Sequence, residues 1–399
     1  MKKNIDQKLS LYLILLFLFS IVFLYIKHKV GNDSTISEWL INYEGGFTKR
    51  GIMGQLSIFL SRAFDEELRW VIFLIQTGSC AIYFILIFNF FKNNSYDRIS
   101  SLAIFTPIFI LYPVAEIEVL ARKEILVFSL YLLYLTIPKI NFYKNFSLMV
   151  FFVLSILIWE PIIFFTPIFL LLEIIEKKIN NFNLDLIKSI SLFLPGAAIG
   201  FYFAFNPITP GNHEIMSNVL KNEFNENCYM SCALLISKSS IIQQFAQYHA
   251  YSFERIFRYI LIIIIGFFPI FLLLKNSILK KNNIFFLKKF KNLLHPTLIC
   301  LAPVILLFAM GYDWGRWVNI TYVFVAIFYF YLSKNNLIVQ SENLKNFFVF
   351  KLSRKVFIFI FIVFCFGWNP KTTVTGDVAS FPGYRIPYKV MSYFIRGHL

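Results

Sequence analysis

Charge is scarce in this chain: Asp, Glu, Lys and Arg make up only 15% of its 399 residues. A soluble domain carries about a quarter, so an ordinary water-soluble fold is excluded. Cysteine is sparse as well, five in all, with no Cys-x-x-Cys and no Cys/His spacing of a zinc motif. Nothing linear therefore announces a metal site or a catalytic metal. A P-loop, a Gly-rich dinucleotide fingerprint and His-Glu-x-x-His are all missing, and no Ser-His-Asp arrangement can be placed. No nucleotide-binding domain and no cofactor is expected on that basis. Tandem repeats and low-complexity linkers are also lacking, so residues 1–399 read as a single integral membrane domain.

Apolar residues are abundant, at 58% of the chain with 50 Phe, in runs such as Leu11–Ile26, Val71–Phe91 and Tyr259–Leu274. Runs of this length match the ~20 residues that a helix needs to cross a bilayer core. The expected fold is all-α, a polytopic transmembrane helical bundle. About eleven spans are expected, near 9–27, 69–91, 99–115, 121–138, 146–159, 161–175, 187–205, 256–274, 293–310, 317–333 and 355–368. The start, Met1-Lys2-Lys3 and an apolar run ending at Lys27-His28-Lys29 without a small-residue cleavage site, reads as an uncleaved signal anchor.

The formal net charge of +16 does not indicate nucleic acid, because the lysines sit in short loops and form no continuous basic face. Their placement orients the chain instead. Basic loops face the cytoplasm, and the loops Lys275–Lys291 and Lys334–Lys355 both fall inside with the N-terminus in and the C-terminus out. The polar stretches 28–68 and 206–255 and the tail 369–399 then lie outside. Cys80, Cys300 and Cys365 lie in apolar runs as packing residues, whereas Cys228 and Cys232 share an outer polar loop where a local disulfide can form.

Four polar constellations are expected on that outer side. Asn42–Gly51 offers Glu44, two glycines and the adjacent cations Lys49 and Arg50, followed by an amphipathic segment 52–64 like an interfacial helix. Glu116–Glu124 carries Arg122 and Lys123 straight into an apolar run, although Glu118 and Arg122 could satisfy each other on a helix. Trp159-Glu160-Pro161 places a carboxylate between two apolar runs, either as a site or as a simple interfacial turn. Gly311–Trp317 brackets Asp313 and Arg316 with Tyr312, Trp314 and Trp317, a set suited to sugar rings or to an aromatic belt with one ion pair. His213, beside Glu214, is a candidate ligand or base, while His249 and His295 at span edges read as structural.

Carboxylates and cations on one membrane face suit a lipid-linked phosphate substrate. Transfer of a sugar from a polyprenyl phosphate needs cations on the departing phosphate and a carboxylate base on the acceptor hydroxyl. Glu44 is the first choice of base, with Asp313 and Glu160 behind it. Lys49, Arg50, Arg122, Lys123, Arg316, Trp314 and Trp317 are the substrate- and phosphate-binding set.

The segments Tyr43–Gly51, Arg122–Glu124, Trp159–Pro161 and Asp313–Trp317 resemble membrane proteins of bacterial surface-polysaccharide clusters, grouped with Wzy-type O-antigen polymerases. The acid just after the first span is also similar to that of GT-C glycosyltransferases, with a single Glu where those enzymes carry paired acids. The resemblance implies a GT-C-like enzyme of the bacterial inner (cytoplasmic) membrane, acting on an undecaprenyl-linked (polyprenyl phosphate) glycan among membrane lipids. By it Glu44 takes the base role. A transporter or flippase of the same glycan is the alternative. It should show internal repeats and midplane charges, where this chain gathers its charges at one face. A transferase of acyl or phosphoethanolamine groups would call for a deep histidine or a metal site.

Overall fold

The computed structural model describes residues 2–29, 34–94, 96–137, 141–233, 235–236, 253–280, 284–311, 313–371 and 378–380. His249, Tyr312 and most of the tail 369–399 lie outside them. The described residues are mostly helical. Among the described residues, four helices are long and apolar enough to cross a membrane: Asp6–His28, Leu68–Phe91, Ile256–Lys275 and Trp314–Lys334. The pair Leu184–Ser191 and Leu194–Phe205, bent by 44°, makes a fifth if it acts as one span.

Eleven full-length spans are not what these lengths give. The apolar run at 121–138 forms a helix only over Glu124–Thr136, and that at 355–368 only over Arg354–Phe366, 13 residues each. At a rise of 1.5 Å per residue such a helix is about 20 Å long, short of a hydrocarbon core of about 30 Å. Elsewhere proline and short helical turns interrupt the run. The 3₁₀ turn Glu160–Phe165, with Pro161 in its first turn, separates the helices Asn141–Ile158 and Thr166–Lys177. A second 3₁₀ turn, Ala302–Val304, splits the run 294–310.

The chain divides into two compact units. The first holds residues 1–93, 120–170 and 182–240. Here Lys2–His28 packs along Leu68–Phe91, which packs on Glu124–Thr136, followed by Asn141–Ile158 and Leu194–Phe205. Aromatic rings interdigitate between neighbours, as Phe17 with Phe84 (6.4 Å between centroids) and Tyr83 with Phe128 (6.1 Å). Buried hydroxyls return to their own helix: Ser20 donates to the Leu16 carbonyl and Ser129 to that of Ile125. Such back-bonding satisfies a polar side chain where water cannot. Between the first two long helices lie the short helix Ser34–Trp39 and the amphipathic helix Ile52–Phe64. The latter buries Met53, Ser57, Ile58 and Ser61 and leaves Leu56, Phe59 and Phe64 exposed.

The second unit holds residues 94–119, 171–181 and 241–399. Its centre is the helix Trp314–Lys334, buried at every position from Gly315 to Leu332. Phe253–Lys275 packs on that helix and on Arg98–Phe105, against which Arg354–Phe366 also lies. Polar tethers fix the central helix: Asn319 Nδ2 donates to the Ile108 carbonyl (2.9 Å) and Tyr322 Oη to that of Ala103 (2.7 Å). Among its described residues are also two short antiparallel pairs, Ser277–Leu279 with Ile338–Gln340 and Trp368–Pro370 with Val378–Ser380.

Candidate functional site

Residues 40–51 of the first unit form a tied loop. Asn42, fully buried, donates to the Leu40 carbonyl and accepts from the Glu44 backbone N–H. Gly46, at a φ of 115°, closes the turn by donating to the Tyr43 carbonyl. Gly45 serves a different end. A Cβ there would stand 1.8 Å from the Asn212 carbonyl oxygen, so the helix Pro210–Phe224 is seated directly on the loop. Gly45 thus makes room for protein backbone, and Gly46 serves the turn.

The Glu44 carboxylate accepts from Gln55 Nε2 and from Arg62 Nη1, each at 2.9 Å. These hydrogen bonds, Gln55 first, hold its carboxyl below the usual carboxylate range. Glu44 is therefore ionised at neutral pH. Arg62 also clamps Glu223 with two bonds of 2.6 and 2.7 Å, and Arg69 likewise grips Glu226. The helix Ile52–Phe64, the base of the next helix and the polar segment 210–226 are thereby joined by charge. Beside Glu44, Tyr43 packs against Phe47, and Phe47 against Tyr202 and Phe203. Burial pushes the Tyr43 phenol up to about 12.

A second cluster begins five residues on. Arg50 grips Glu160 in a fork, Nε to Oε2 at 2.7 Å and Nη2 to Oε1 at 2.9 Å, with Lys49 Nζ at 3.9 Å. Burial raises the Glu160 carboxyl, but the charges of Arg50 and Lys49 and the Arg50 bonds outweigh it and hold the group low. Lys123, 1% exposed, donates to the Arg50 backbone carbonyl at 2.5 Å. Arg122 meets Glu38 at 3.4 Å, both side chains buried. The next residue, Trp39, donates its indole N–H to the Ala121 carbonyl at 3.0 Å. Arg50 and Ala121 sit in the left-handed region at φ of 62° and 52°, a conformation that non-glycine residues hold only where surroundings enforce it. Buried cations need such partners.

Of the residues expected from sequence, the first unit brings Lys49, Arg50, Lys123 and Glu160 into one connected group. Arg122 is tied to Glu38, and Glu44 stands in its own group with Gln55 and Arg62. The segment 116–123 is a 3₁₀ turn and loop, so the four-residue step from Glu118 to Arg122 is not a helical pair. Arg122 turns to Glu38 on the distant helix Ser34–Trp39.

The remaining expected residues belong to the second unit. Asp313 is the N-cap residue of the central helix, and Arg316, 3% exposed, reaches it at 3.4 Å while stacking over Trp317. Trp314 donates to the Phe308 carbonyl and packs on Tyr259, and Trp317 donates to the Gly311 carbonyl. Trp317 is buried. Trp314, half-buried, is the more accessible of the two.

Sequence reasoning did not single out Glu38, Gln55, Arg62 or Glu223. Glu38 and Gln55 lie in short helices with no distinctive spacing. Arg62 carries a signal that could have been used: it is the lone cation on the amphipathic helix 52–64, one helix away from Glu44. No protein family, curated protein or solved structure matches this chain.

Proposed function

We propose that this chain is a multi-pass glycosyltransferase of the polysaccharide-polymerase type. In this reading it uses a polyprenyl-phosphate-linked glycan at the outer face of the bacterial inner membrane. The observation that supports it most is the adjacent cation pair Lys49 and Arg50 of the first unit. Lys123 and Arg50, 73 residues apart in sequence, are locked together, and the Arg50–Glu160 fork fixes the guanidinium beside Lys49. Cations fixed in advance stabilise a charge that appears on a leaving phosphate better than mobile ones, because no reorganisation is needed during the reaction.

Exposure divides the roles. Lys49 and Arg50 retain accessible side-chain surface, at 42% and 23%, and are the phosphate contacts. Lys123 and Arg122 are buried and act as positioning residues behind them. Glu160, occupied by Arg50, positions that guanidinium. Glu44 is ionised and partly accessible, and it takes the proton of the acceptor hydroxyl as that oxygen bonds the anomeric carbon and the anomeric bond to phosphate breaks, the polyprenyl phosphate leaving against Lys49 and Arg50. The clustering of these charges in loops and turns, rather than along the four long apolar helices, favours an enzyme over a transporter.

The test is glycan synthesis in proteoliposomes given a polyprenyl diphosphate-linked oligosaccharide. Glu44→Gln and Arg50→Ala should each abolish product lengthening while the protein inserts at the normal level. Wild-type product length in both variants would reject the assignment.

A further inference from the structure

The polar segment 206–236 contains a group that the proposed reaction does not use. His213 lies in the first turn of the helix Pro210–Phe224, whose N-cap Thr209 accepts from the Asn212 N–H. Its Nε2 stands 3.2 Å from Cys228 Sγ and 3.2 Å from the Cys232 carbonyl oxygen. Cys228 and Cys232 are joined as a disulfide, with Cα atoms 5.2 Å apart. The three ligand atoms all lie within 4.8 Å of one another. His213 is 8% exposed and Cys232 fully buried. Two soft sulfurs and an imidazole around one point are the donor set that Zn²⁺ selects.

We infer that His213, Cys228 and Cys232 form a Zn²⁺ site that opens when their disulfide is reduced. A dithiol reductant supplies two electrons and two protons, the S–S bond breaks, and the reductant leaves as its own disulfide. Zn²⁺ then displaces the two thiol protons and is held by two thiolates and neutral His213 Nε2, with water in the fourth place. With Zn–S of about 2.3 Å and Zn–N of about 2.0 Å, tetrahedral bonding needs a sulfur–nitrogen separation of roughly 3.5 Å and a sulfur–sulfur separation of roughly 3.8 Å. The His213–Cys228 pair is already near the first value, and reduction frees the sulfurs to part toward the second.

The centre is also connected. The short helix Met230–Ala233 packs on Ser34–Trp39, and Ser231 N–H donates to Ser37 Oγ at 3.1 Å. The next two residues, Glu38 and Trp39, hold Arg122 and Ala121. Through Met230–Ala233 the centre is thereby linked to the helix that holds Arg122.

The experiment uses the purified full chain in detergent, reduced and freed of reductant, with Zn²⁺ titrated against a chromophoric chelator and Co²⁺ as a spectroscopic probe. Reduced wild type should take up one Zn²⁺ and show thiolate-to-cobalt charge-transfer absorption, and the oxidised chain should do neither. His213→Gln, which keeps all five cysteines, should weaken binding by about tenfold or more. Equal zinc uptake by oxidised and reduced chains, or wild-type affinity in His213→Gln, overturns the site. Should that variant misfold, the cobalt spectrum of the wild type decides alone: without thiolate absorption the cysteines are only a structural disulfide.

Discussion

The Glu44 carboxyl is held below the usual carboxylate range by an uncharged donor first and a guanidinium second. A carboxyl whose pKa is lowered in the folded protein stays charged above that lowered value and loses its charge only as pH falls through it. Removing Gln55 takes away the largest single hydrogen-bond contribution and moves that point upward. Gln55→Met, which keeps the bulk, should therefore shift the acid limb of the rate–pH profile to higher pH, with the alkaline side unchanged. Initial rates in proteoliposomes across the acid range measure this, and an unmoved acid limb would show that Glu44 is not the titrating base. At this scale the sequence spoke clearly where charge is expensive. Arg50, Lys123 and Glu160 border apolar runs, where a charge without a partner is costly, and they find one another in the structure. It was silent about Gln55 and Glu38, because an amide on an amphipathic helix and an acid in a six-residue helix look like solvated surface until the fold supplies Glu44 and Arg122 as partners.

The glycine pair shows how two elements are registered against each other. Gly45 lets the Asn212 carbonyl approach so closely that any side chain must displace the helix Pro210–Phe224. Gly45→Ala should lower stability by about 1–3 kcal/mol, the usual cost of overpacking, read by thermal unfolding in detergent. It should also loosen the Arg62–Glu223 clamp at the other end of that helix. A melting temperature equal to wild type would mean that the helix yields freely. The helices themselves were unequally legible. Leu68–Phe91 and Phe253–Lys275 follow their apolar runs within a residue or a few. The runs 99–115 and 293–310 do not become single helices, since hydropathy counts apolar residues without seeing where the backbone turns. Pro113 opens a four-residue helix, and the 3₁₀ turn at Ala302–Val304 interrupts the other run. Likewise Trp314–Lys334 reads as a span from its composition but is buried nearly throughout as the core of its unit.

For the chain as a whole, the proposed reaction requires that the Glu44 loop face the outer side of the membrane, and the polar segment 210–226 is fastened to it. The first unit contains a ruler for this. Leu68–Phe91 has 24 residues, about 36 Å at the helical rise, enough to carry its two ends to opposite faces of a bilayer. Arg69 at its start holds Glu226, and Arg62 just before it holds Glu44 and Glu223, so both polar segments are fastened to the same end. Lys92 caps the other end. The native cysteines interfere little with thiol labelling, since Cys80, Cys300 and Cys365 are buried and Cys228 is bonded to Cys232. With a membrane-impermeant maleimide on intact cells, Lys221→Cys should react at once and Lys92→Cys only after permeabilisation. Labelling of both from outside would mean that Leu68–Phe91 does not span. The reverse pattern would place Glu44 and its cations in the cytoplasm, where a lipid-linked glycan presented at the outer face could not reach them.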